Sequence, residues 1–261
     1  MRQITVQRYV TPLREGGSLP AVVEGDDLGL YVLKFRGAGQ GPRALIAEII
    51  GGGIAHALGL PMPEIVLADL DPGLAATEPD PEIQDLLRAS GGLNLAVDYL
   101  PGAINFDPAA DRVDHALASR IVWFDSFISN VDRSARNTNL LTWHEQLWLI
   151  DHGAALYFHH GWQGEAEAAD RPFPLIKDHV LLAQADAIED AHAASLGKLS
   201  SAVFADILAS IPDAWLAVEG SDAAAFASPA AHRAAYQHYL ERRLACASRI
   251  VDSVREARHA G

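Results

Sequence analysis

Asp132 and Asn137 stand five residues apart in the polar run Asn130-Val131-Asp132-Arg133-Ser134-Ala135-Arg136-Asn137-Thr138-Asn139. Fourteen residues beyond Asn137, the apolar run Leu147-Trp148-Leu149-Ile150 ends in Asp151-His152-Gly153. Two carboxylates and an amide oxygen, all hard donors, suit one chemistry in particular. Phosphoryl transfer needs a carboxylate to orient a hydroxyl and take its proton. It needs a second carboxylate and an amide oxygen to hold magnesium against the phosphates, the nucleotide and water supplying the remaining ligands. A loop followed by a nearby strand end can bring Asp132, Asn137 and Asp151 together.

Those three residues need a scaffold on both sides. Upstream, Val113, Leu117, Ile121, Phe124 and Ile128 recur at helical spacing and predict a long helix over residues 109–128 feeding the loop of residues 129–137. Its most apolar stretch, residues 121–128, is interrupted by Asp125 and Ser126. Downstream, Leu140-Leu141 and residues 147–150 predict a hairpin-like pair around residues 143–146. Helices follow, the last opening at Ser228-Pro229, a cap followed by proline in the first turn.

The first third reads differently. Residues 5–9, 21–24, 30–35, 64–70 and 93–100 predict strands. Pro42 opens a helix that Leu60-Pro61-Met62-Pro63 ends, and Gly51-Gly52-Gly53 lies inside it. Each glycine there costs about 1 kcal/mol relative to alanine. The triplet marks either close approach of another backbone or a break between two short helices. Residues 71–92 are acidic and proline-containing and read as a surface insertion with a short helix. The order therefore predicts an α+β, two-lobed architecture. Residues 1–101 form a small β-rich lobe, and residues 102–261 a mainly helical one.

The Asp132/Asn137 pair followed by Ile150-Asp151-His152-Gly153 resembles the catalytic loop and metal-binding segment of protein-kinase-like folds. It is nearest to the HipA-type bacterial serine/threonine kinases and their phosphoinositide-kinase relatives. The resemblance implies an ATP- and magnesium-dependent kinase, with Asp132 as catalytic base and Asn137 and Asp151 as metal ligands. It extends upstream in order. Lys34, in Val32-Leu33-Lys34-Phe35, resembles the lysine that contacts the α- and β-phosphates, with Glu48 on the next helix as its partner. Asp98, Tyr99 and Leu100, before Pro101-Gly102, resemble the adenine-binding hinge. Gly16, Gly17 and Ser18 take the position of a phosphate-covering loop, or form only a hairpin turn. Ser134 stands where these kinases usually carry histidine, and His152 where the common motif has phenylalanine. Neither departure removes a metal ligand.

The implied acceptor is a hydroxyl, expected on a protein serine or threonine. A nucleotide-binding pseudokinase acting as an interaction module is one alternative, and a small-molecule or lipid kinase of the same fold another. The chain begins almost at the kinase core, so toxin activity and an antitoxin partner do not follow. Acidic residues outnumber basic ones by 34 to 20, a net charge of −14. That excludes broad binding to nucleic acid or anionic membranes while leaving room for one small polyanion, ATP. No apolar run approaches the ~20 residues of a membrane span, and the amino terminus lacks a signal-peptide pattern. The expectation is a cytoplasmic protein. The single cysteine, Cys246, excludes an internal disulfide and is expected as a buried small hydrophobe. His152, His159 and His160 fit no zinc template. Asn130 and Asn139 are expected to hold the loop. Arg133 and Arg136 either bind substrate phosphate or offset local acids.

Overall fold

The computed structural model describes residues 1–13, 19–162, 165–217 and 226–260. The proposed phosphate loop of Gly16, Gly17 and Ser18 lies outside the described residues. The chain divides into two compact units. One comprises Met1–Leu45 and Pro63–Gly102, the other Ile46–Met62 and Ala103–Gly261.

The first unit is a closed five-stranded barrel. β1 (Gln3–Pro12), β2 (Ala21–Gly25) and β3 (Leu30–Lys34) form an antiparallel meander. After α1 (Pro42–Leu58), β4 (Ile65–Leu70) follows, then α2 (Pro81–Ala89) and β5 (Gly92–Asp98). The strand order is β1-β2-β3-β5-β4, and the parallel pairing of β4 with β1 closes the barrel. Alternation decides which side chains fill it. Tyr31 and Leu33 on β3 are buried, whereas Lys34 falls on the opposite face, in register with Leu95. Residues 71–92 are not merely a surface insertion. On α2 the acids Glu82 and Asp85 face solvent, but Ile83 and Leu87, four apart, join Val23, Leu33 and Val66 in the barrel core.

The second unit is mainly helical. It holds α1 from Ile46 onward, β6 (Ile104–Asn105), α3 (His115–Ile128), β7 (Leu140–Trp143) and β8 (Gln146–Leu149). α4 (Glu165–Asp170), α5 (Ile188–Leu196), α6 (Ser201–Ala209), α7 (Asp213–Leu216), α8 (Pro229–Ala245) and α9 (Ser248–Ala260) complete it. α1 is one continuous helix through all three glycines. A Cβ on Gly51 would stand 2.8 Å from the Cβ of His152, and one on Gly53 would stand 2.8 Å from Ile207. The close approach is therefore real, but side chains make it rather than another backbone.

α3 starts later than its periodicity suggests. Asp114 caps it by accepting the Leu117 N–H at 3.0 Å, and residues 107–111 form a turn around Asp107 instead. From Ile121 to Ile128 every residue is buried, with Trp123 stacked on Phe127 and Phe127 on Phe204. The hairpin β7–β8 forms as its apolar pattern predicts and gains β6 as a third strand. α8 is not the last helix. It ends at Cys246, which is half-buried and donates its thiol to Asp170 at 3.4 Å rather than packing as a small hydrophobe. No helix among the described residues is long and apolar enough to cross a membrane.

Candidate active site

The loop that carries Asp132 and Asn137 hangs from the end of α3. Ser129 takes a left-handed backbone (φ 53°), and its N–H and that of Asn130 both close on the Asp125 carbonyl. Asn139 (φ 47°) and Asp151 (φ 56°) adopt the same uncommon conformation. At Ser129 this conformation costs about 1–2 kcal/mol, whereas the short polar side chains of Asn139 and Asp151 tolerate it better, and the surrounding contacts hold the turn in place.

Those contacts centre on Asp125, whose side chain is fully buried. Its Oδ1 accepts from Asn130 Nδ2 at 3.0 Å. Its Oδ2 accepts from Arg133 Nε at 2.6 Å and from His179 Nε2 at 2.9 Å. His179 Nδ1 accepts the Leu181 N–H, which leaves Nε2 as the nitrogen that donates to Asp125. Burial alone would push the Asp125 carboxyl up. The Arg133 charge and the His179 hydrogen bond outweigh it and hold the group well below the usual carboxylate range. Arg133 also donates to the Asn139 carbonyl and, at 3.4 Å, to that of Ile150, and the Ile150 N–H bonds the Asn139 carbonyl at 3.1 Å. One buried guanidinium thus ties the helix, the loop and the residue preceding Asp151.

On this support, Asn137 Nδ2 donates to Asp132 Oδ2 at 2.8 Å. Asn139 Nδ2 donates to the Asp132 carbonyl at 2.8 Å and lies 3.4 Å from the same Oδ2. Both amides are drawn to one carboxylate oxygen, so Oδ1 carries neither bond. Asn137 spends its nitrogen on Asp132 and keeps its oxygen, a hard donor, for another partner. Asp151 is exposed beside buried His152. Among the described residues no group of three or more His, Cys, Asp or Glu is placed to hold a metal ion. One amide oxygen and one carboxylate nonetheless fit magnesium, which keeps most of its ligands from water and phosphate.

Glu48 belongs to the same unit. It is buried, and its Oε2 accepts the His152 N–H at 3.0 Å. His152 occupies its place with both ring nitrogens lacking a hydrogen-bond partner, its ring edge-on to Phe124 at 5.5 Å. Lys34 lies in the barrel unit at the end of β3. There too the Asp98 N–H bonds the Glu64 carbonyl, the Tyr99 N–H bonds the Leu30 carbonyl, and Leu100 is buried. Partial burial, then the Glu64 carboxylate, push the Asp98 carboxyl up.

The HipA-like kinase family profile matches residues 6–243. The chain belongs to that family. Comparison with curated proteins gives no match. Among solved structures, this HipA-like kinase resembles the Helicobacter pylori proinflammatory kinase CtkA, with a TM-score of 0.57 at 12% identity, over 99% of each chain. It also resembles the Golgi casein kinase, with a TM-score of 0.53 at 12% identity, over 99% of this chain and 74% of that one. A second structure of the casein kinase, with Mn/ADP bound, gives a TM-score of 0.54 over 100% of this chain and 74% of that one. The fold is that of a kinase, with a strand-rich amino-terminal region and a mainly helical carboxy-terminal part.

In this HipA-like kinase, Asn130 and Asn139 do hold the loop. Arg133 offsets a local acid, Asp125. Sequence reasoning missed Asp125 and His179. Asp125 left one signal, a carboxylate interrupting the most apolar stretch of the chain, where only a buried partner makes it affordable. His179 left none.

Proposed function

We propose that the chain is an ATP- and magnesium-dependent kinase that phosphorylates a serine or threonine hydroxyl on a protein. The observation that carries the reading is the 2.8 Å pairing of Asn137 with Asp132 in a loop tied through Arg133 to the residue before Asp151. In this reading Asp132 Oδ1 receives the acceptor's hydroxyl proton, and the amides of Asn137 and Asn139 hold Oδ2 so that the carboxylate keeps its orientation. Asn137 Oδ1 and Asp151 hold magnesium, which when bound neutralises charge on the phosphates. Lys34 serves the α- and β-phosphates, and Asp98, Tyr99 and Leu100 serve the adenine. Membership in a kinase family, and a structural neighbour crystallised with Mn/ADP, support nucleotide and divalent-metal use.

The test is transfer of label from γ-labelled ATP with magnesium. Wild type, Asp132→Asn and Asp151→Asn are compared on the chain itself and on a protein lysate. Wild type should label protein, and either substitution should cut the rate by about 10²-fold or more. Binding of ATP without transfer to any acceptor would replace the enzyme with a nucleotide-binding interaction module.

A further inference from the structure

We propose that the acceptor of this kinase is an acidic polypeptide segment, read by Arg136 and Arg171 on the walls of two joined cavities beside Asp132. The inference rests on the kinase reading above and names the acceptor's chemistry.

The first cavity, about 460 Å³, is walled by Ser134, Arg136, Asp178 and His179. The second, about 580 Å³, is walled by Tyr157, Phe158, His160, Arg171 and Pro172. They share Val131, Phe173 and Leu175. Val131 and Arg133, the chain neighbours of Asp132, line the first cavity, whereas Asp132 itself lines neither. An extended segment whose hydroxyl sits at Asp132 would reach these walls with its flanking residues.

Charge selects the occupant. In a chain of net charge −14, cations left uncommitted are informative. Arg2, Arg8, Arg88, Arg233, Arg242 and Arg255 pair with carboxylates. Arg120 and Arg243 are spent on backbone carbonyls. Arg136 and Arg171 are exposed, and among the described residues neither guanidinium has such a partner. A third arginine in the first cavity has one nitrogen to spare. Arg133, 2% exposed, keeps Nη2 without a hydrogen-bond partner at the wall of the first cavity. Among the described wall residues, Asp178 is the one carboxylate.

Shape and polarity point to a polypeptide. Val131, Tyr157 and Leu175 are 38%, 69% and 45% exposed, a cluster of apolar surface at the two cavities. Exposed apolar groups gathered beside polar ones are a feature of protein contact surfaces. An extended segment presents acidic and apolar side chains to both cavities at once.

The test uses the full chain and two labelled peptides, each with a central serine flanked by leucine. The remaining positions are glutamate in one and lysine in the other. By fluorescence anisotropy, wild type should bind the glutamate peptide at least about tenfold tighter than the lysine peptide. The double variant Arg136→Glu, Arg171→Glu should reverse that order. A reversal cannot come from misfolding, since the lysine peptide gains affinity. Equal affinities in wild type, or a preference that survives the reversal of charge, overturns the inference. Label transfer from γ-labelled ATP to the same peptides separates the two readings. Transfer without charge preference overturns this inference alone. Binding without transfer to any peptide or to the chain itself overturns both.

Discussion

Two clusters of charge use the same residue types to different ends. In the barrel unit, Arg2 bonds Glu64 at 2.9 Å, pairs with Asp27 and lies over the Tyr31 ring. Its side chain is 42% exposed, and Asp27 is 36% exposed. In the helical unit, Arg133 and Asp125 pair at 2.6 Å with both side chains at 0%. Water screens the first pair and would re-solvate either partner left alone, so it contributes little. Nothing re-solvates Arg133. Its pairing with Asp125 is weak evidence for net stability, because desolvation opposes the attraction, but breaking it strands a charge. The difference explains the placement. The exposed cluster trims the barrel surface, whereas the buried one sets the geometry of the loop that carries Asp132.

The sharpest way to separate holding from acting is to change Asp132 and Asp125 independently. Asp132→Asn should lower kcat by about 10²- to 10⁴-fold, with the denaturant midpoint close to that of wild type. If the midpoint collapses as well, Asp132 is part of the loop's scaffold. Asp125→Ala should cost about 3–5 kcal/mol in denaturant unfolding, the penalty for leaving a buried charge unpaired. A loss under 1 kcal/mol would mean that Arg133 reaches solvent.

Packing around the site comes next. Gly51→Ala sets a methyl 2.8 Å from the His152 Cβ and should destabilise by about 1–3 kcal/mol through overpacking. Because it displaces the residue after Asp151, it should also lower transfer at saturating ATP. A smaller effect is expected at the exposed cluster, where Asp27→Asn should cost about 0.2–1 kcal/mol, diminishing with added salt.

Acid titration contrasts the same two clusters. The folded Asp125 carboxyl sits below its unfolded value of ~3.9, so its contribution is fully present above that pH and is lost as pH falls toward the folded value. Asp27 follows the same sign, lowered to about 2 by its hydrogen bond from the Tyr31 hydroxyl, then by the Gly29 N–H. Wild-type stability should therefore fall below about pH 4. Removing Asp125 should flatten that acid slope more than removing Asp27, measured as denaturant midpoint against pH in each variant.

Much of this molecule is legible in one dimension. β-branched and apolar runs bounded by turn residues announced β1 to β5, because strand formers and turn formers are local signals. The spacing of Asp132, Asn137 and Asp151 was visible because a short loop and the end of an adjacent strand are set by local chain geometry. What the sequence could not settle was partnership across distance. Its glycine triplet allowed either a close neighbour or a break in the helix, and could not tell that His152 and Ile207 would fill the space. Ile83 and Leu87 sat in a stretch whose acids suggested solvent, and only barrel closure by β4 and β5 gave their face something to pack against. Arg133 read equally well as a substrate contact or a counter-ion. Tertiary structure decided it, by burying Asp125 in α3 and bringing His179 from 54 residues away onto the same carboxylate oxygen. A buried charge is tolerable only where the whole fold delivers its partners, and no local pattern records where they come from.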